Sequence, residues 1–335
     1  MRVAAVIAAL CLVGAGCGDD DEPAPPPPAP QSGFAEALRT VSTGVIPIGV
    51  GYGYMDLEAL RPAEYEWAAG ALGPGGSLVV SHAGEIAPQT GFDPTRARRL
   101  VSVAASYTLG VRADGLDPAP MRRRLAGTAD SKAREGDWEF LDFGVEWSVP
   151  NDTAAEPLSG MGARLALGDD AVVVARTDRA RAELTTPSDE VLTDPAVRLV
   201  LECLGDPVAA RIVPNNFTHA PNTGPQLLGF GVADPADGPV RETLCVADPG
   251  SERVDAAREA MESNLAEEAE DPVTNERIGN VADSVEIDAL EGDGAVGARA
   301  VFTLSERTPP GYLFRAFVHG SLITYIGLID PPGAQ

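Results

Sequence analysis

Lysine is nearly missing from this chain: Lys132 is the only one, and arginine carries the rest of the positive charge. Histidine is scarce as well. His82, His219 and His319 stand far apart, and none has a cysteine or a second histidine at ligand spacing. That excludes the common His/Cys metal patterns, and no metal or cofactor is expected. No G-x-S-x-G elbow is present to expose a serine, although His319-Gly320-Ser321 and His82 invite inspection. Gly73-Pro74-Gly75-Gly76 lacks the Lys-Ser/Thr that completes a phosphate loop. With no nucleophile and base in view, the chain is not read as an enzyme. Long apolar runs are lacking too. The most apolar late stretch, 312–329, contains Arg315 and His319 and reads as core rather than as a membrane span. The acidic excess is large, with a net charge of −25. Such a surface repels phosphate backbones, so nucleic acid is excluded as a partner.

What is present begins at the N-terminus. Arg2 precedes the apolar run from Val3 to Val13, which has the size of a signal-peptide core. Gly14, Ala15 and Gly16 then place small side chains before Cys17, and the acidic tract Asp19-Asp20-Asp21-Glu22 follows. Ala15-Gly16-Cys17 resembles the lipobox of bacterial lipoproteins, with Gly14 where that family usually has leucine. The resemblance implies a signal peptide over 1–17 and a diacylglycerol (and palmitate) on Cys17. It implies a protein held on the cell membrane by lipid and facing the extracytoplasmic side. The layout as a whole is similar to uncharacterised secreted lipoproteins of high-GC actinobacteria, a likeness that transfers no activity. An ordinary secretory signal cleaved near Cys17 is the alternative. Residues 18–33, rich in Asp and then Pro, read as a disordered tether in extended polyproline form.

Cys11 leaves with the signal and Cys17 takes lipid, so Cys203 and Cys245 remain as the free thiols. Outside the cytoplasm such a pair tends to oxidise, and a Cys203–Cys245 disulfide is expected. Two separately buried thiols are the alternative. Two arginine clusters, Arg96, Arg98, Arg99 and Arg122, Arg123, Arg124, offer a basic patch for an anion such as a wall polymer. The plainer reading pairs them with nearby carboxylates on solvated faces. Asn151-Asp152-Thr153 and Asn216-Phe217-Thr218 match the glycosylation acceptor, without consequence behind a bacterial-type signal.

The body, 34–335, reads as α+β, with mixed or antiparallel sheets and helices. Asp-Pro pairs at Asp93, Asp117 and Asp194 predict helix starts before 95–100, 119–125 and 196–204. Further helices are expected over 64–72 and from Ser251 to about Ala266. Strands are expected at 45–50, 77–80, within 101–111, and at 138–147, 163–167, 171–175, 209–213, 227–232, 241–246, 285–290 and 298–304. Gly51-Tyr52-Gly53-Tyr54 reads as a bend. The order β-β-α-β-β-α occurs twice, with helices near Asp117 and Thr177 and again near Ser251 and Pro310. This suggests a duplicated unit, with halves of about 34–190 and 191–335. The shared triplets Gly162-Ala163-Arg164 and Gly297-Ala298-Arg299 are explained as well by chance.

Three functions stay open. The first is a non-catalytic envelope-accessory lipoprotein that binds a protein or wall component. The second is a solute-binding protein of a transporter, which needs two lobes and a hinge. The third, a secreted hydrolase, is opposed by the missing catalytic constellation.

Overall fold

The computed structural model describes residues 31–42, 51–60, 64–104, 109–125, 127–143, 164–214, 224–233, 238–271 and 275–328. Cys17, the tether up to Pro30, the expected strand 45–50, His219 and both glycosylation acceptors lie outside them.

Alternation along the strands decides the architecture. In Pro207–Pro214, Ala209 and Val213 join one apolar cluster and Ala210 and Ile212 another, and all four are buried. In Arg241–Asp248 the same holds for Leu244 and Val246 against Cys245 and Ala247. A sheet whose two faces are both apolar needs a helical layer on each. The described residues supply both layers.

The strands are β1 (Gly51–Asp56), β2 (Arg99–Ala104), β3 (Leu109–Asp114), β4 (Ser131–Glu135), β5 (Trp138–Asp142), β6 (Arg164–Leu167) and β7 (Ala171–Ala175). They continue with β8 (Pro207–Pro214), β9 (Leu227–Ala233), β10 (Arg241–Asp248), β11 (Ala282–Gly292) and β12 (Ala295–Leu304). They form one twelve-stranded sheet in the order β11-β12-β10-β9-β8-β1-β2-β3-β7-β6-β5-β4, and every pairing is antiparallel. The α+β expectation holds.

The helices are α1 (Gly33–Leu38), α2 (Tyr65–Ala68), α3 (Gly73–Ser81), α4 (Ala83–Thr90), α5 (Ala119–Leu125), α6 (Asp178–Thr185), α7 (Pro195–Leu204), α8 (Ser251–Asn264), α9 (Ile278–Val281), α10 (Tyr312–His319) and α11 (Ser321–Tyr325). A 3-10 turn, Ala69–Leu72, joins α2 to α3. The front face packs against α2–α5 and α8–α11, and the back face against α1, α6 and α7.

The strand order repeats between the two halves of the sheet. β1-β2-β3-β7-β6 and β8-β9-β10-β12-β11 run outward from the antiparallel β1–β8 pair in the same sequence. The order common to both is three strands, a helix, two strands and a helix, one strand longer than expected, with α2–α4 set between β1 and β2 in the first unit and α9 before β11 in the second. Ala113-Asp114 closes β3 and Ala247-Asp248 closes β10; both aspartates are buried, and α5 and α8 follow them. The triplets do not correspond: Arg164 is on β6, whose counterpart is β11, whereas Arg299 is on β12. The β4–β5 hairpin is an insertion that extends the first unit's edge.

Local chemistry explains the agreements. Asp194 accepts from the amides of Ala196 and Val197 at the start of α7, and Gly205 stops that helix with φ of 67°. Asp117 accepts from Ala119 N–H. Asp93 caps only a 3-10 turn, Pro94–Arg96, because the chain enters β2 at Arg99.

Several expectations fail. Residues 77–80 belong to helix α3 rather than a strand. A short apolar run does not distinguish the two, and Pro74 in the first turn favours helix. The expected bend at 51–54 is the central strand β1. Its glycine marks a close approach, since a Cβ on Gly53 would lie 2.3 Å from the Ala71 carbonyl oxygen. Strand β4 has no apolar alternation, being exposed throughout, and is held at the sheet edge by β5. Ser32 and Gly33, expected to precede the body, belong to it: Ser32 is buried and its hydroxyl caps α1, which starts at Gly33, by accepting from Ala35 N–H.

Candidate functional site

Paired charges on the back face line a groove. Asp142 at the end of β5 and Asp178 at the start of α6 are bridged by Arg164 and Arg181. Arg164 Nε lies 3.1 Å from Asp178 and Arg181 bonds the same carboxylate at 2.7 Å. Arg181 also pairs with Asp142 and lies over the Phe140 ring at 4.7 Å. Trp138, one residue in from the hairpin turn, is covered by Arg112 at 5.4 Å. The groove between β4–β5 and α6 has a volume of about 490 Å3 and is lined by Glu135, Trp138, Phe140, Asp142, Arg181 and Thr185, among others. It offers aromatic surface and fixed charges of both signs, and no histidine or cysteine lines it.

The expected arginine patch is not one surface. Arg99 points to the back face, where its Nε donates to Asp114 at 2.9 Å beside Arg112, and Glu36 of α1 lies 3.5 Å away. Arg122 belongs to α5 in the front layer and bonds Glu139 together with the carbonyls of Leu167 and Gly168. Arg96, Arg98, Arg123 and Arg124 are exposed. Arg99 and Arg122 are therefore structural cross-links, and the anion-patch reading of the two clusters does not fit this placement.

Cys203 near the end of α7 and Cys245 in β10 form a disulfide with Cα atoms 6.3 Å apart. It pins the back helical layer to the second unit's sheet, as expected from the two remaining cysteines.

His82 is exposed between α3 and α4, with its ring Nδ1 against the Leu78 carbonyl. His319 is exposed at the end of α10, while Ser321 is buried and bonds Asp271. Among the described residues no group of His, Cys, Asp and Glu could hold a metal ion.

Three buried polar centres on the front face escaped the sequence reading. Glu242 of β10 is fully buried and accepts from the amides of Gly311, Tyr312 and Leu313 at the start of α10. Burial pushes its carboxyl up to about 7, against the three amides that hold the charged form. Tyr312 and Tyr325 both donate to Asp271 and touch each other; burial and the carboxylate drive both phenols far upward. Arg211 of β8 is 5% exposed, lies 5.0 Å under the Phe317 ring, and backs onto Gly73 at the start of α3. No spacing rule joins Arg211 to Gly73, which lie on different elements. The Gly73–Gly76 run was the one available signal.

No family model matches the chain, and neither a curated protein nor a solved structure matches it.

Proposed function

We propose that the protein is an extracytoplasmic lipoprotein, anchored to the cell membrane through Cys17, that serves as a non-catalytic binding or envelope-accessory protein. The observation that carries this reading is the Cys203–Cys245 disulfide. A chain that keeps two of its four cysteines for a cross-link and places the other two at 11 and 17 suits an oxidising compartment and an N-terminal lipid. No helix among the described residues is long and apolar enough to cross a membrane, so attachment in this reading falls to the lipid. The unbroken sheet across both units favours a rigid binding body over a hinged solute-binding protein. The back-face groove supplies aromatic and charged surface for an envelope protein or wall component.

The anchor is tested by Triton phase separation of the membrane fraction with metabolic palmitate labelling. Wild type is expected in the detergent phase with label, and Cys17→Ser in the aqueous phase without it. Equal partitioning and labelling of the two would overturn the anchor.

A further inference from the structure

The β4–β5 hairpin exceeds what the repeated strand order needs, and its outer strand serves no core. β4 is exposed throughout, and none of its residues joins either apolar cluster. The hairpin forms one wall of the back-face groove and α6 forms the other. The groove volume of about 490 Å3 falls within the range of small-ligand sites, about 300–1,000 Å3.

Two kinds of surface meet there. Trp138 and Phe140 are two apart on β5, so both project from the same face of the strand, and both line the groove. The indole is firmly seated. Arg112 lies over it at 5.4 Å, and a Cβ on Gly168 would come within 3.2 Å of its Cζ3. Beside the rings, two arginines balance two aspartates. Arg181 donates through one terminal nitrogen to Asp142 and through the other to Asp178, while lying over the Phe140 ring. Arg164 Nε donates to Asp178, and the Ser131 hydroxyl donates to Asp142 at 3.0 Å. Both carboxylates stay partly exposed. The groove therefore offers an aromatic floor with fixed acceptors next to fixed donors.

We infer that this groove binds a neutral saccharide chain. A sugar ring has an apolar C–H face, which fits a fixed indole, and a rim of hydroxyls. Each hydroxyl both donates and accepts, so it matches a carboxylate and a guanidinium held side by side. An anion would face Glu135, Asp142 and Asp178. A cation drawn to the aspartates would have to displace Arg181 from two carboxylates and from Phe140. The inference rests on the reading of this groove as a binding surface and holds with or without the lipid anchor.

The test is calorimetric titration of the purified full-length protein with neutral hexasaccharides of glucose, mannose, galactose and N-acetylglucosamine. Saturable binding of at least one is expected. Trp138→Ala should weaken it about tenfold or more, and Trp138→Phe, which keeps an aromatic floor, by less. Ala182→Gln, at an exposed position of α6 that lines the groove, should obstruct binding while leaving the melting temperature unchanged. Tetramethylammonium chloride and sodium sulfate at matched ionic strength should give no saturable signal. Absence of binding by all four saccharides overturns the inference. So does binding that neither Trp138→Ala nor Ala182→Gln weakens, and so does tetramethylammonium binding as tightly as the best saccharide. Retention on isolated envelope fragments separates this failure from that of the wider reading. Wild type held better than Ala182→Gln, with the difference removed by protease but not by glycosidase digestion, would overturn the saccharide class and leave the groove a binding surface. Equal retention of the two proteins, with no saccharide bound, would overturn both.

Discussion

The two units share their strand order and differ in what ties them. In the first, arginines do the work: Arg99 and Arg112 share Asp114, and Arg164 and Arg181 share Asp142 and Asp178. In the second, a disulfide holds α7 to β10, while Glu242 and Asp271 receive hydrogen bonds from inside the core. The closing helices differ as well. Helix α6 covers the back face and α10 the front. A strand order thus constrains where a sheet can grow, and leaves open which face each returning helix covers and which chemistry secures it. The long edge strands reflect the same freedom. The first unit adds the β4–β5 hairpin, whereas β11 stays at the edge with Asp283, Glu286, Asp288 and Glu291 along it, charges that discourage pairing with another chain.

The largest break in this comparison is expected from the disulfide. Replacing both Cys203 and Cys245 with alanine opens a loop of sequence separation 42. About 4 kcal/mol should be lost on the chain-entropy estimate. Guanidinium unfolding with and without reductant measures it. Reductant should lower the midpoint of wild type and leave the double variant unmoved. Equal sensitivity in both would place the stabilisation elsewhere.

Next comes Glu242, whose carboxyl is raised from 4.5 to about 7 in the folded protein. Between those values the folded state holds a proton that the unfolded chain has released. Stability from this group is therefore fully present below about pH 4.5 and is lost as pH rises towards 7, by roughly 3 kcal/mol. In Glu242→Gln, whose neutral amide mimics the protonated acid, that slope should be lost, so the difference between the two stability–pH profiles should change by that amount between about pH 4.5 and 7. Parallel profiles would mean that the three amides of α10 outweigh burial and keep the carboxylate charged.

The smallest effect sharpens the first unit. Arg122→Gln should destabilise by about 1 kcal/mol, because it loses Glu139 and two carbonyls in a half-buried position. Arg123→Gln with Arg124→Gln should shift stability by less than ~0.5 kcal/mol, both being exposed. Thermal melts of the single and double variants separate the two outcomes. Equal losses would return the cluster to a single role.

Much of the fold was legible because its signals are local. The Asp-Pro starts at Asp117 and Asp194, the neighbouring strands at 163–167 and 171–175 and the helix from Ser251 are each set by residues close in the chain, and the structure bears them out at α5, α7, β6–β7 and α8. Strand β1 was missed because its glycines mimic a turn; they serve the approach of a 3-10 turn encoded some twenty residues later. Residues 77–80 were misread because a short apolar run serves a strand and a buried helix equally. The arginine clusters were grouped by proximity in sequence, while successive strand positions face opposite sides and α5 lies in a different layer from Arg99.

By itself the sequence determined the acidic excess and the class of fold, placed several of the helices and strands, and led to the expectation that Cys203 pairs with Cys245, since each follows from composition or short-range backbone chemistry. Only the tertiary structure decided that Glu242 meets the start of α10, that Asp271 joins Tyr312 and Tyr325, and that Arg211 lies under Gly73. The physical reason is that burial and counter-charge are properties of neighbours in space. The sheet makes neighbours of residues more than a hundred positions apart, and no spacing in the chain records that distance.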